Sequence, residues 1–311
     1  MRCRRVKTLV LTAAGALLLA GPALLAQGVF PDKNLEAVVR PAVSKKRATQ
    51  EPLTADDVRE VARIDARAKG IKDLTGLDQC IGVEFLDLSG NEISDLTPLA
   101  KLGTVRRPYA ASDDAYVQYM DLSKNKITDL QPLAGFVKVQ YLNLNDNQIT
   151  DLSPLAKLRS LNSLHLSNNK IKDLTPVAGL ERLWTLAVDG NAISDLKAIA
   201  KLKFLASLDL RGNPAADAAT LAALTQLHDV FLDANRFRDL TPLVKAAQKD
   251  FETEKSFVPF LRIYFNGTPL PAVKAQLAAL GKLGVQVIAL PRSDAPASPP
   301  AAKPTPAKTS R

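Results

Sequence analysis

At 311 residues the chain is long enough for one large domain or two ordinary ones, and a hydrophobic share of 46% supplies a core, which excludes global disorder. Aromatic residues make up only 5%, so the interior is assembled from many leucine and alanine contacts, a composition that points to a repetitive fold. The formal charge of +9 sits mostly at the two ends, with Arg2, Arg4, Arg5 and Lys7 at the start and Arg292, Lys303, Lys308 and Arg311 against Asp294 at the finish; residues 27–290 keep only +2, too little for a phosphate-binding footprint.

Taken in chain order, Met1 to Lys7 is basic, Thr8 to Ala20 is apolar and uncharged, and the small residues Gly21, Ala23 and Ala26 follow, which is the order of a secretory signal peptide over residues 1–26. Cleavage after Ala23 and cleavage after Ala26 both fit. A retained anchor is the other reading, opposed by Gly21-Pro22, which interrupts the run before about 20 residues of helix can form. The expected location is periplasmic, cell-surface or extracellular. Cys3 lies in this leader, which leaves Cys80 alone in the mature chain, so no intramolecular disulfide is expected. His165 and His228 are the only histidines and lie far apart in sequence, so neither a zinc site nor a catalytic triad is expected, and no cofactor or enzymatic activity is assigned.

Residues 27–61 read as a helical cap. Asn34 to Val39 and Leu53 to Val58 are short amphipathic segments, the second opened by Thr54 as N-cap. They are expected to cover the leucine edge of the first coil that follows.

From residue 62 to 270 a 22-residue period organises the chain. The run Leu86 to Leu99 gives the template L-x-L-x-x-N-x-I-x-D-L-x-P-L. It recurs from Met120, Leu142, Leu164, Leu186, Leu208 and Val230, with weaker frames at Ile64 and Ile263, nine in all. The Leu-x-Leu alternation is a strand whose leucines share one face. The asparagine bonds backbone groups of the turn, so stacked copies form a ladder. Asp-Leu-x-Pro-Leu starts a single helical turn, the carboxylate accepting an N-terminal N–H and the proline standing where no donor is needed. Stacked coils of this kind predict an α/β repeat solenoid, a curved right-handed coil with a parallel concave sheet and short 3₁₀ turns on the convex side. Insertions interrupt the period near 103–115 and 249–258, the second read as a helix patching the solenoid end with Phe251 and Phe257. Residues 271–290 read as a closing helix and a last strand, Val285 to Ile288. Residues 291–311, rich in proline and alanine with scattered lysines, read as a disordered basic tail.

The runs Leu86 to Leu99, Met120 to Leu133, Leu142 to Leu155 and Leu164 to Val177 resemble the leucine-rich repeats of bacterial secreted and surface proteins, specifically the internalin type. The resemblance covers roughly Val58 to Leu270. It implies binding of a protein or glycan partner without saying which. Lys69 and Thr268 depart from it at the ladder position, which marks the end coils as capping units.

With the inward leucines fixed, the remaining strand positions are expected to form an exposed concave face. The middle column contains Asp87, Asp121, Asn143, His165, Asp209, Phe231 and Tyr264, and the column before it contains Phe85, Tyr119 and Tyr141. Across the three concave columns four arginines stand against seven aspartates, so the face is acidic although the chain is basic. Phe85, Tyr119 and Tyr141 lie on consecutive coils at about 4.8 Å spacing, which lines up their rings either as a binding strip or as packing that shields the sheet. Asp65, Asp87 and Asp121 stack in one column and are expected to be solvated carboxylates. His165 is expected to be exposed on the concave face. Arg106, Arg107 and Tyr109, in the first insertion, are placed beside the aromatic strip as further contacts. Cys80 aligns with a buried leucine column. Trp184, two residues before a strand leucine, is assigned to neither surface nor core. These features point to an exported monomeric scaffold that binds a protein, with a glycan or a purely structural spacer role as the alternative, and with no nucleic-acid partner.

Overall fold

The computed structural model describes residues 28–104, 117–253 and 257–290. Arg106, Arg107 and Tyr109 lie outside the described residues, as do the leader and the tail. Ten strands form one parallel sheet in chain order: β1 Arg63–Asp65, β2 Phe85–Asp87, β3 Tyr119–Asp121, β4 Tyr141–Asn143, β5 Ser163–His165, β6 Thr185–Ala187, β7 Ser207–Asp209, β8 Asp229–Asp233, β9 Arg262–Asn266 and β10 Gln286–Ala289. The register aligns Ile64, Leu86, Met120, Leu142, Leu164, Leu186, Leu208, Val230 and Ile263, the same residues that open the nine frames of the sequence. All of them are buried, and Cys80 lies at 0% exposure in a neighbouring column, where burial pushes its thiol up to about 12.

The ladder fills the turns as the template requires. Asn147 Oδ1 accepts the Ile127 N–H of the preceding coil at 3.0 Å, and its Nδ2 donates to the carbonyls of Leu122, Leu144 and Asn145. The corresponding bonds link Asn91, Asn125, Asn169, Asn191 and Asn213 to the coils before them. Asn235 is an exception to the template: it is exposed, and the buried residue there is Ala234. Gly90, Lys124, Asp146, Asn168, Gly190 and Gly212, which stand just before the buried ladder asparagines, all have positive φ, whereas Ala234 does not, so the left-handed turn that carries the asparagine inward is missing there.

On the convex side the 3₁₀ turns Thr97–Leu99, Gln131–Leu133, Ser153–Lys157, Thr175–Gly179 and Lys197–Lys201 follow the template aspartates. Each aspartate acts from one place before the N-cap leucine: Asp95 Oδ1 accepts the Thr97 N–H at 2.8 Å, and Asp129, Asp151, Asp173 and Asp195 repeat the contact. The last coils depart from this pattern with true helices: α3 Ala218–Ala223 within an ordinary 22-residue coil, α4 Thr241–Glu252 in the longer span between Val230 and Ile263, and α5 Pro271–Lys282 beyond it. The second insertion is therefore not a separate helix over 249–258 but the extension of α4 from Thr241. Phe251 is exposed on that helix, while Phe257 is buried in the turn beyond it.

At the other end, helices α1 Lys33–Val39 and α2 Ala55–Val58 and the residues just before them cover the first coil with Phe30, Leu35, Val39, Leu53 and Val58. Thr54 forms a reciprocal capping box with Asp57. Asp32 joins cap and solenoid: one carboxylate oxygen accepts the N–H groups of Asn34 and Leu35, and the other accepts those of Lys72 and Asp73. Burial pushes this carboxyl upward, but the four N–H bonds outweigh it and hold it below the ordinary carboxylate range. A lowered folded pKa stabilises the fold above the unfolded value and is lost as pH falls through the folded one. Asp32→Ala is expected to cost about 0.5–2 kcal/mol at neutral pH, as for other N-caps. Urea titrations of both proteins should converge as pH drops below about 4.

Candidate concave-face site

The concave face carries two aromatic stacks separated by small side chains. Phe85, Tyr119 and Tyr141 stand on β2, β3 and β4, and the parallel register sets them one above the next. Their ring centroids are 4.4 and 4.5 Å apart with interplanar angles of 5° and 4°, so each ring face lies flat on its neighbour. The Arg63 guanidinium lies 3.5 Å above the free face of Phe85 and closes the stack at that end. At the other end His165 tilts against Tyr141 with centroids 5.2 Å apart. Burial, with the nearby charges of Asp121 and Asp87, pushes the Tyr119 phenol up to about 12, and burial also raises Tyr141. Both hydroxyls therefore remain protonated donors at physiological pH. The second stack pairs Phe231 with Tyr264 at 4.5 Å and 9°, with Arg211 over Phe231 at 5.2 Å. Ser163, Thr185, Ser207 and Ala187 lie in the strands between the two stacks.

The middle column is not the exposed row that the alternation predicts. Asp87, Asp121, His165, Asp209 and Phe231 are all buried, and Asn143 and Tyr264 are half-buried. The physical cause is local. Asp87 Oδ1 turns back to accept the N–H and hydroxyl of Ser89 at 3.0 and 2.7 Å, and Asp121 treats Ser123 the same way at 2.9 and 2.6 Å. Asn143 Oδ1 accepts the Asn145 N–H, while its Nδ2 donates to Asp121 Oδ2 at 3.0 Å. These side chains end their strands by lying along the sheet rather than standing out from it. Asp87 and Asp121 are thus bonded and buried rather than solvated, while Asp65 stays half-exposed, and burial raises the Asp87 carboxyl despite the bonds from Ser89. Arg67 neutralises the top of the column through two 2.9 Å bonds to Asp65 and a 3.4 Å approach to Asp87.

His165 is likewise buried at 2% exposure, and its Nε2 has no hydrogen-bond partner. Burial, opposed by the Asp121 charge, pushes its pKa down to about 4, so the imidazole is neutral at physiological pH. Asp209 and Arg211 form a buried ion pair further along, with Nε donating to Oδ1 at 2.9 Å. Among the described residues no group of three or more His, Cys, Asp or Glu side chains is arranged to hold a metal ion.

One feature escaped the reading of the sequence. Trp184 is exposed at the entry edge of the sheet, in the column two places before the strand leucines, and that column also contains His228. Trp184 and His228 meet edge to face at 6.0 Å, and His228 meets Phe260 at 5.8 Å. Following that column through Asn162, Trp184, Ala206 and His228 would have grouped the first two of these rings.

Residues 117–157 and 137–179 match the family described as leucine-rich repeats (2 copies). The fold is also similar to that of internalin C2 from Listeria monocytogenes, with 32% identity and a TM-score of 0.61 over 69% of this chain and 89% of that one. The chain belongs to the internalin-type leucine-rich repeat family. Internalin F from the same organism is another similar member, at 26% identity and a TM-score of 0.67, with 84% of this chain and 69% of that one covered. No curated protein sequence matches the chain. Membership in the internalin family accounts for the parallel sheet and the 3₁₀ layer. No helix among the described residues is long and apolar enough to cross a membrane.

Proposed function

We propose that this internalin-type chain is an exported, non-enzymatic scaffold that takes a protein partner on its concave face. The observation that carries the reading is the Phe85–Tyr119–Tyr141 stack, three rings fixed on a hydrogen-bonded sheet. A sugar ring packs best on an open aromatic face, and here the faces are occupied by neighbouring rings and by Arg63. What remains to a ligand is ring edges and two protonated phenols, which suits the mixed apolar and polar centre of a protein interface better than a glycan. Nucleic acid is disfavoured because the four concave arginines, Arg63, Arg67, Arg211 and Arg262, all lie in ion pairs with aspartates. Arg106, Arg107 and Tyr109, in the insertion that precedes Val117 and Tyr119 in sequence, are proposed as a second contact.

The test is affinity capture from envelope extracts, followed by titration of the recovered partner. Tyr119→Ala and Tyr141→Ala are each expected to weaken binding by roughly 30-fold or more, as for central aromatic residues of protein interfaces. Unchanged affinity in both variants would move the interface off this face, and selective binding on a glycan array that is lost in the same variants would favour the carbohydrate reading.

A further inference from the structure

Six large apolar side chains stand exposed among the described residues, and four of them share one edge of the solenoid. Val137, Trp184, Phe204 and Phe260 are 45%, 54%, 61% and 57% exposed, and all lie in the turns that feed the strands. The same turns are basic. In the four coils entering β4 to β7 they contribute Lys138, Arg159, Arg182 and Lys203, all exposed, against Glu181 alone. This is the opposite sign to the concave columns, and it is displayed by a body that is nearly neutral as a whole.

The backbone holds the edge in place. Trp184 N–H bonds the Asn162 carbonyl at 2.8 Å, Ala206 N–H bonds that of Trp184 at 2.9 Å, and His228 N–H bonds that of Ala206 at 2.7 Å, so the turns are held in a regular row. Across five strand spacings that row runs about 24 Å. Trp184 and His228 stand perpendicular, at 89°, which leaves no common flat platform on which a sugar or a base could stack. Exposed Trp and Phe interleaved with Lys and Arg along one row is the composition of an interfacial anchor, in which rings sit at headgroup level and cations face phosphates.

We propose that this edge docks on an anionic lipid surface, with Trp184, Phe204 and Phe260 entering the headgroup layer and Arg159, Arg182 and Lys203 facing the phosphates. Attachment is peripheral, through side chains of the turns. Docked in this way, the molecule stands on its edge with the concave face open to the side. The inference is independent of what the concave face binds.

Trp184 is the only tryptophan of the chain, so its fluorescence reports on this edge and on nothing else. The full chain is titrated with vesicles of phosphatidylglycerol and, separately, of phosphatidylcholine. The expected result is a shift of Trp184 emission to shorter wavelength on phosphatidylglycerol and none on phosphatidylcholine. Arg182→Glu with Lys203→Glu is expected to weaken the anionic response by on the order of tenfold or more, since each basic side chain near such a surface contributes severalfold. Phe204→Ala should weaken it without altering the charge. These positions are exposed, and an unchanged circular dichroism spectrum would establish that the variants fold. Vesicle binding that leaves Trp184 emission unmoved, as attachment through the leader or tail would, overturns the proposal. So does an equal shift on both lipids, a shift that survives the charge reversal, or an edge that captures an acidic protein but gives no shift on vesicles.

Discussion

Asp209→Ala is expected to lower the unfolding free energy by about 3–5 kcal/mol, the usual cost of leaving a buried charge without its partner. Asp209 and Arg211 are 2% and 6% exposed, and the guanidinium of Arg211 has both oxygens of Asp209 within reach of Nε at 2.9 and 3.2 Å. Removing the carboxylate strands a cation beside Phe231 in the concave sheet. Removing both charges should behave differently. Burial raises the Asp209 carboxyl even with the arginine against it, so the attraction does not fully offset the cost of taking the carboxylate out of water. Asp209→Leu combined with Arg211→Met is therefore expected to recover most of the loss and to match or exceed the parent. Urea unfolding of the two variants measures both effects. Equal stability of Asp209→Ala and the parent would mean that the guanidinium finds solvent or another carboxylate.

How far the fold was legible in the sequence follows from which interactions repeat. Inward leucines meet the same neighbours in every coil, so Leu86, Leu142 and Leu164 declare their register by sequence alone, and the sheet follows from them. The aromatic strip was legible for the same reason: residues at one frame position must stack when the strands are parallel. Burial of the middle column was not legible, because alternation gives the face but not the inclination of a side chain on it. Asp87 and Asp121 lie down because a serine stands two residues later with a donor amide and hydroxyl, and the recurring Asp-x-Ser was the available signal. His165 is buried without that bond, closed in by Tyr141 and its neighbours on the sheet. The left-handed turn before each ladder asparagine also went unread, although Gly90, Gly190 and Gly212 share that position with Lys124, Asp146 and Asn168, all at φ between 55° and 69°. Asn235 misled because the template says nothing of the residue before the asparagine, and Ala234 does not take the left-handed conformation. Trp184 sat outside the leucine frame, and only the three-dimensional row of turns gathers it with Phe204 and Phe260.

Asn147→Ala is expected to cost about 3 kcal/mol, the upper end of the range for leaving buried polar groups unsatisfied. The side chain accepts the Ile127 N–H and donates to three carbonyls, those of Leu122, Leu144 and Asn145, so its truncation leaves groups from two coils without this partner, in an interior that water does not reach. Alanine replaces none of these bonds. Asn235→Ala provides the internal control: the residue occupies the same place in the repeat, yet it is exposed, and its loss should stay within about 0.5 kcal/mol, as for ordinary surface substitutions. Because coils in a solenoid are stabilised by their neighbours, the defect at Asn147 is also expected to loosen the adjacent coils first. Hydrogen exchange should therefore accelerate at Ile127 and Ile149 before it does at Ile64 or Ile263. Equal destabilisation by the two alanine variants would show that the asparagine matters for the turn conformation in general rather than for the bonds it makes between coils, whereas a large difference confined to Asn147 ties solenoid stability to the ladder itself.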